Sequence, residues 1–203
     1  MTAKQRRTQA ERRAATTAAL IDGTIAALSE VGYSRTTVQE ICTRAGVSHG
    51  ALFGRFSTLL DLMLAAAEEV ARRQLDNFAR RIAQLPNTED ANLILPLLRT
   101  SSRDPINAVW IELLVAARTD AQIRDRLRPI SEEYGGRILD SSREIRALDA
   151  LPEHERAAFI ANIVHYFDGE ALSGVLYPDA EFERQRLTML ATMSADYLRA
   201  HDK

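Results

Sequence analysis

Apolar residues recur along this chain every third or fourth position, and no stretch alternates apolar and polar residues as a half-buried strand must. Alanine, leucine, arginine and glutamate dominate, residues that lose little freedom in a helix. The pattern predicts an all-α fold. A first helix runs from Thr8 to Val31, with Leu20, Ile21, Thr24, Ile25, Leu28 and Val31 along one stripe, and Gly32 ends it as a left-handed cap. A short helix follows from Thr37 to Ala45 and breaks at Gly46. Ser48, a good N-cap, opens another that reaches Phe56, and Ser57 or Thr58 caps a fourth that reaches Leu85. Further helices are expected over 89–100, 105–118, 120–148, 152–176 and 181–200, with turns at Ser101-Ser102, Asp104-Pro105, 149–152 and Tyr177-Pro178-Asp179. Pro96 and Pro129 fall inside helical patterns and should kink or divide them, and Gly135-Gly136 weakens the segment that holds Pro129.

The net charge of -2 hides an uneven distribution. Residues 1–60 hold eight Lys and Arg (Lys4, Arg6, Arg7, Arg12, Arg13, Arg35, Arg44, Arg55) against four acids, a formal +4. The remaining residues hold 18 against 24, a formal −6. A basic head on an acidic body suggests that the head alone meets a polyanion. With 46% hydrophobic and 27% charged residues the chain reads as globular, and no apolar run is long enough to span a bilayer. The N-terminus lacks the apolar core of a signal peptide, and Cys42 is the one cysteine, so a cytoplasmic protein without an internal disulfide is expected.

The most informative stretch is Thr36 to Phe56, TTVQEICTRAGVSHGALFGRF. Two short helices joined by a tight turn can lay the second in a DNA major groove if they cross closely. Val38, Ile41, Ala45, Val47, Leu52 and Phe56 supply faces that pack both helices onto the first, and Gly46 suits a turn residue with positive φ. Cys42, four residues earlier, is small enough for a close approach. With its long first helix, the Thr36-Thr37 pair, Ala45-Gly46-Val47-Ser48 and the aromatic segment Phe53 to Phe56, this stretch resembles the DNA-binding domain of the tetracycline-repressor (TetR) family over residues 12–62. The rest of the chain matches in helical plan and length. His49, Phe53 and Leu59 stand where the family commonly has Lys, Tyr and Lys, side chains that bind phosphate.

The resemblance implies an N-terminal three-helix helix-turn-helix domain over 8–56 and a helical ligand-binding and dimerisation domain over 57–203. It implies DNA contacts from Thr36, Thr37, Ser48, His49, Gly50, Ala51, Phe53, Arg55 and Ser57. Thr37 would meet a phosphate at the start of its helix, and Ser48 to Ala51 form the end of the recognition helix that enters the groove. Gly50 and Ala51 permit close backbone approach, and the Ala51 methyl would meet a thymine methyl. His49 is a base contact, a phosphate contact or a surface histidine. Arg55 is a phosphate contact, a bidentate partner of guanine or a solvated charge. Phe53 belongs either to this surface or to the core.

In the body, segment 105–118 is apolar nearly all round and reads as an internal helix. Glu112 within it needs a partner: Arg118, Arg99, His165 or a ligand. By resemblance a small, mostly apolar effector is bound here, with Trp110, Glu112, Tyr134, His165 and Tyr166 as candidate contacts. The last two helices are expected to form a homodimer through Phe167, Leu172, Val175, Leu187, Leu190, Met193 and Tyr197. The histidines are scattered and Cys42 stands alone, so no metal site and no cofactor are expected, and no nucleophile or phosphate-loop motif supports an enzyme. The implied function is a regulator, a repressor before an activator, that binds palindromic double-stranded operator DNA. A helical-bundle enzyme or carrier, and an architectural DNA-coating protein, are the competing classes.

Overall fold

The computed structural model describes residues 8–176 and 178–201, with the backbone alone at 91 and 92. Lys4, Arg6, Arg7 and Tyr177 lie outside the described residues. Within them the chain forms helices and contains no strand. The α-helices are α1 (Gln9–Val31), α2 (Val38–Ala45), α3 (His49–Phe53), α4 (Leu59–Ile82), α5 (Ala91–Ser102), α6 (Ala108–Ala117), α7 (Ala121–Ser141), α8 (Glu153–Gly174) and α9 (Ala180–His201). They belong to two compact units.

The first unit takes in the chain through Ala71 together with a returning segment, Pro105–Ile130. Thr8 starts α1 with a reciprocal cap: its hydroxyl accepts from the Glu11 amide, and the Glu11 carboxylate accepts from the Thr8 amide. Leu20, Ala27, Ile41, Cys42, Leu52 and Leu62 form one core, with Val38, Ala45, Val47, Phe56 and Leu59 packed around it. The residues expected to join the two short helices to α1 all lie there. Burial of Leu20, Ile41 and Leu52 contributes roughly 1.5–3 kcal/mol each. That contribution matters most for α3, whose five residues are too few to hold a helix alone. Helices α1 and α2 approach closely at Gly23: a Cβ there would lie 3.1 Å from the Ala45 nitrogen and 3.1 Å from the Ile41 carbonyl oxygen. On its other side α1 packs against α6. Val109, Trp110, Leu113 and Ala117 of α6 are buried, but Leu114 and Val115 are about half exposed, so the helix is not enclosed all round.

The second unit consists of Arg72–Asp104 and Ser131–Lys203. Ile82, Ile94, Ile145, Leu148 and Leu151 form one apolar cluster and Leu95, Ile163 and Phe167 another. Helix α5 runs through Pro96 and α7 through Pro129, so neither proline divides its helix. Helix α7 ends at Ser141 rather than Leu148; two 3-10 turns, Ser142–Glu144 and Arg146–Leu148, then carry Ile145 and Leu148 inward. Apolar spacing continues past the end of the helix because the turns bury the same kind of residue. Arg99 of α5 grips the 2% exposed Glu170 of α8 through two hydrogen bonds, of 2.9 and 3.0 Å, and reaches Glu183 of α9 at 2.7 Å. No helix among the described residues is long and apolar enough to cross a membrane.

Candidate functional site

Every junction of the helix-turn-helix is set by a local capping bond. The Thr37 hydroxyl accepts the Glu40 amide at 3.2 Å and starts α2. Gly46 ends it at φ 65°, ψ 33°, the left-handed conformation expected there. The Val47 amide closes the turn onto the Cys42 carbonyl at 3.1 Å. The Ser48 hydroxyl then accepts the Ala51 amide at 3.2 Å to open α3. The helix proper stops at Phe53, and turn bonds from Gly54, Arg55 and Phe56 back to Gly50 and Leu52 carry the winding to Phe56.

Thr37, Ser48, His49, Gly50, Phe53 and Ser57 are exposed, and Ala51 is partly so. Nothing but the Ser48 hydroxyl, at 4.0 Å, lies near the position of a Gly50 Cβ, so this stretch of backbone is open to a ligand. Phe53 points to solvent at 53% exposure, which removes it from the core. His49 Nε2 lies 3.0 Å from the Gln39 side-chain oxygen, and the Gln39 amide donates to the Thr43 hydroxyl at 3.3 Å. A polar chain therefore runs across the outer faces of α2 and α3. Sequence reasoning missed Gln39; its one signal was an exposed polar residue two positions after the Thr37 cap.

Two expected contacts sit differently. Thr36 is 4% exposed, and its hydroxyl donates to the Gly32 carbonyl at 2.8 Å, so it braces the turn from inside and is withdrawn from any phosphate. Arg55 is half-buried; its Nη1 donates to the Ala51 carbonyl at 2.8 Å and its Nε to the Arg13 carbonyl at 3.4 Å. It ties the end of α3 to α1, with only its remaining N–H groups left for DNA. The positive charge is also partly spent within the unit. Arg44 bridges Glu30 and Glu40 at 2.7 Å each, and the hydrogen bond to Glu30, then that to Glu40, holds its guanidinium above its usual range. Thr58, not Ser57, caps α4, trading bonds with Asp61, which Arg126 of α7 grips at 2.7 Å. Arg126 first and Thr58 second hold the Asp61 carboxyl below its ordinary range.

The expected effector contacts are spread over both units. Trp110 and Glu112 belong to the first, and Tyr134, His165 and Tyr166 to the second. Glu112 has none of the expected cationic partners: its Oε2 accepts the backbone amide of Tyr33 at 2.6 Å. Arg99 is engaged by Glu170 and Glu183 instead. Tyr134 donates to Gln74 at 2.9 Å, and burial, with the Asp168 charge behind it, pushes its phenol well above the usual range. His165 is exposed on α8, on the helical face it shares with Gly169 and Leu172, and is not enclosed as a pocket residue. Tyr166 packs edge-on against Phe167, with Arg186 5.2 Å above its ring.

A family model described as bacterial regulatory proteins of the tetR family matches residues 20–66. An uncharacterized HTH-type transcriptional regulator of Mycobacterium tuberculosis is 39% identical over 188 residues, 92% of this chain and 96% of that protein. The HTH-type transcriptional regulator CymR of Pseudomonas putida is 28% identical over 190 residues, 92% of this chain and 93% of that one. A TetR transcription regulator of Haloarcula marismortui superposes with a TM-score of 0.62 at 21% identity, covering 92% of this chain and 98% of that structure. The multidrug binding protein EbrR, in complex with ethidium, does so with a TM-score of 0.59 at 22% identity, covering 86% and 98%. By sequence and by fold, the chain belongs to the TetR family of bacterial transcriptional regulators, a family of DNA-binding proteins and not of enzymes.

Proposed function

We propose that this chain is a cytoplasmic, ligand-responsive repressor that binds a palindromic operator as a homodimer and is released by a small, mostly apolar effector. The observation that carries the reading is the exposed surface formed by Thr37, Gln39, Ser48, His49, Gly50 and Phe53 on two capped helices. Ala51, Arg55 and Ser57 flank it, and residues 8–56 serve as the DNA-binding domain, with 57–203 serving effector and dimer. Its polar groups suit base edges and phosphates, and the bare backbone at Gly50 suits close approach.

A second copy is the proposed occupant of the outer faces of α8 and α9. On α9, Phe182, Met189 and Met193 recur at helical spacing, and each is more than half exposed. Leu172, Val175 and Leu176 do the same near the end of α8. Phe167 leaves that set, because it is fully buried in its own unit, and Leu187 and Leu190 pack on the same internal cluster. The apolar character of the effector rests on α6, whose exposed side chains include Leu114 and Val115. Trp110, Tyr134 and Tyr166 remain candidate effector contacts within their own units.

The test is enrichment of duplexes from a randomised pool by the wild-type protein, then polarisation binding at several salt concentrations. An imperfect palindrome should emerge, and its affinity should fall steeply with salt as counterions are released. Arg55→Ala with His49→Ala should weaken binding to it by roughly 2–4 kcal/mol. Normal binding by that double variant, or enrichment of no duplex at all, defeats the reading.

A further inference from the structure

The geometry points to Glu112 as a positioning residue for DNA binding, a carboxylate on α6 that fixes the start of the helix-turn-helix through one backbone amide. The inference rests on the operator-binding reading above. Glu112 and Tyr33 are 79 residues apart in sequence, yet Oε2 accepts the Tyr33 amide at 2.6 Å. A bond from an amide to a carboxylate is charge-assisted and stronger than one between neutral groups.

The turn is built to receive it. Gly32 adopts φ 78°, ψ 170°, outside the left-handed helical well and in a region that only glycine occupies readily. A Cβ on Gly32 would lie 3.0 Å from the Glu112 Oε2. Glycine is therefore required for the backbone conformation, and its missing Cβ leaves the carboxylate room to reach the amide. The 3-10 turn Tyr33–Arg35 has no side-chain cap of its own, so α6 supplies the acceptor that the local sequence lacks. Burial, and after it the charge of Asp120 just before α7, hold the Tyr33 phenol above its usual range.

From there the connection to the DNA surface is short. The Thr36 hydroxyl donates to the Gly32 carbonyl at 2.8 Å, and its amide to the Tyr33 carbonyl at 3.2 Å. The next residue, Thr37, caps α2. The cluster of Leu20, Ala27, Ile41, Cys42, Leu52 and Leu62 beneath α1, α2 and α3 is drawn from α1 to α4. Loss of the Glu112 bond thus leaves that core packed while freeing the turn that orients α2.

Two variants separate positioning from mere stability. Glu112→Met keeps the volume on an apolar helix and removes the acceptor, and Glu112→Gln keeps a side-chain oxygen that can accept the same amide. Binding is measured by polarisation on the duplex that wild type enriches from a randomised pool and on a scrambled duplex, beside thermal melting and amide exchange at Tyr33. Glu112→Met should lose about tenfold in affinity for the enriched duplex, with scrambled binding near wild type, a modestly lower melting temperature because the Tyr33 amide is left unpaired, and faster exchange at Tyr33. Glu112→Gln should stay within about threefold of wild type on the enriched duplex. Wild-type affinity in Glu112→Met overturns the inference alone. So does a loss of affinity that is equal on both duplexes and tracks melting. If wild type enriches no duplex, the operator reading fails first and takes this inference with it.

Discussion

Removing either end of the Arg99–Glu170 pair should not cost the same, and the difference can be worked from the contacts. Glu170 is 2% exposed and Arg99 20% exposed, so only the arginine retains some access to water. If Arg99 is replaced by Met, Glu170 keeps only the Arg103 guanidinium at 3.6 Å, beyond good hydrogen-bond reach. Stranding a buried carboxylate costs about 3–5 kcal/mol, and the residual pull of Arg103 places this case near about 3. If Glu170 is replaced by Gln, the shape and one oxygen acceptor remain, and Arg99 keeps Glu183 at 2.7 Å. That change loses one of the two bonds, because the amide nitrogen cannot accept from Arg99, and forfeits charge assistance on the other, but it leaves no charge unpaired, a cost of about 2 kcal/mol. The expected gap of about 1 kcal/mol corresponds to about 0.5 M in urea midpoint for a slope near 2 kcal/mol/M. Urea unfolding followed by helical circular dichroism, at one fixed protein concentration, measures it. Equal midpoints, or a larger loss in Glu170→Gln, would refute the argument that exposure sets the asymmetry.

Three other outcomes are expected. Gly23→Ala brings a Cβ to 3.1–3.2 Å from the backbone and Cβ of α2, so it should lower stability by about 1 kcal/mol despite its better helix propensity; a raised melting temperature would mean that α1 and α2 approach more loosely. Met193→Asp, on a residue 62% exposed, should give folded monomers by sedimentation, whereas Leu190→Asp should also lower stability because Leu190 packs on an internal cluster; a folded Met193→Asp dimer rules out this face. Arg103 and then Arg99 hold the Glu183 carboxyl below its ordinary 4.5, so its small stabilisation is present above that pH and lost as pH falls through the depressed value; Glu183→Gln should lie slightly below wild type at neutral pH and converge with it in acid, and parallel melting curves would contradict the assignment.

The sequence announces what is local. Thr8, Thr37 and Ser48 cap helices as their types predict, Gly46 takes the left-handed turn, and Ile41, Leu52 and Phe56 pack where spacing places them. Gly32 was legible as a stop, but its ψ of 170° was not, because the turn it enters packs beside Glu112, 80 residues away in sequence. Thr36 and Thr37 look alike in sequence, yet one faces inward and the other outward, a choice made by the turn between α1 and α2. The partner of Glu112 is a backbone amide, which carries no side-chain signature and cannot be searched for by residue type. The close packing of α1 and α2 at Gly23 is not carried by the apolar spacing of either helix. The bridging of Arg99 to Glu170 and Glu183 joins three helices whose mutual placement no spacing encodes.

The discontinuous makeup of the first unit has a consequence for biosynthesis. Its N-terminal portion ends at Ala71, and its remaining portion begins at Pro105 and closes at Ile130. A ribosome adding about 5–20 residues per second needs about 3–12 seconds to cover the interval from Ala71 to Ile130. Until Ala117 has been added, α1 lacks the helix that packs against it, and until Glu112 has been added the Tyr33 amide lacks its acceptor. The DNA-reading end of this protein is therefore translated first but completed late. A nascent chain released before α6 is complete at Ala117 would carry uncovered apolar surface on α1, which makes it a substrate for chaperones and not a free-standing DNA reader.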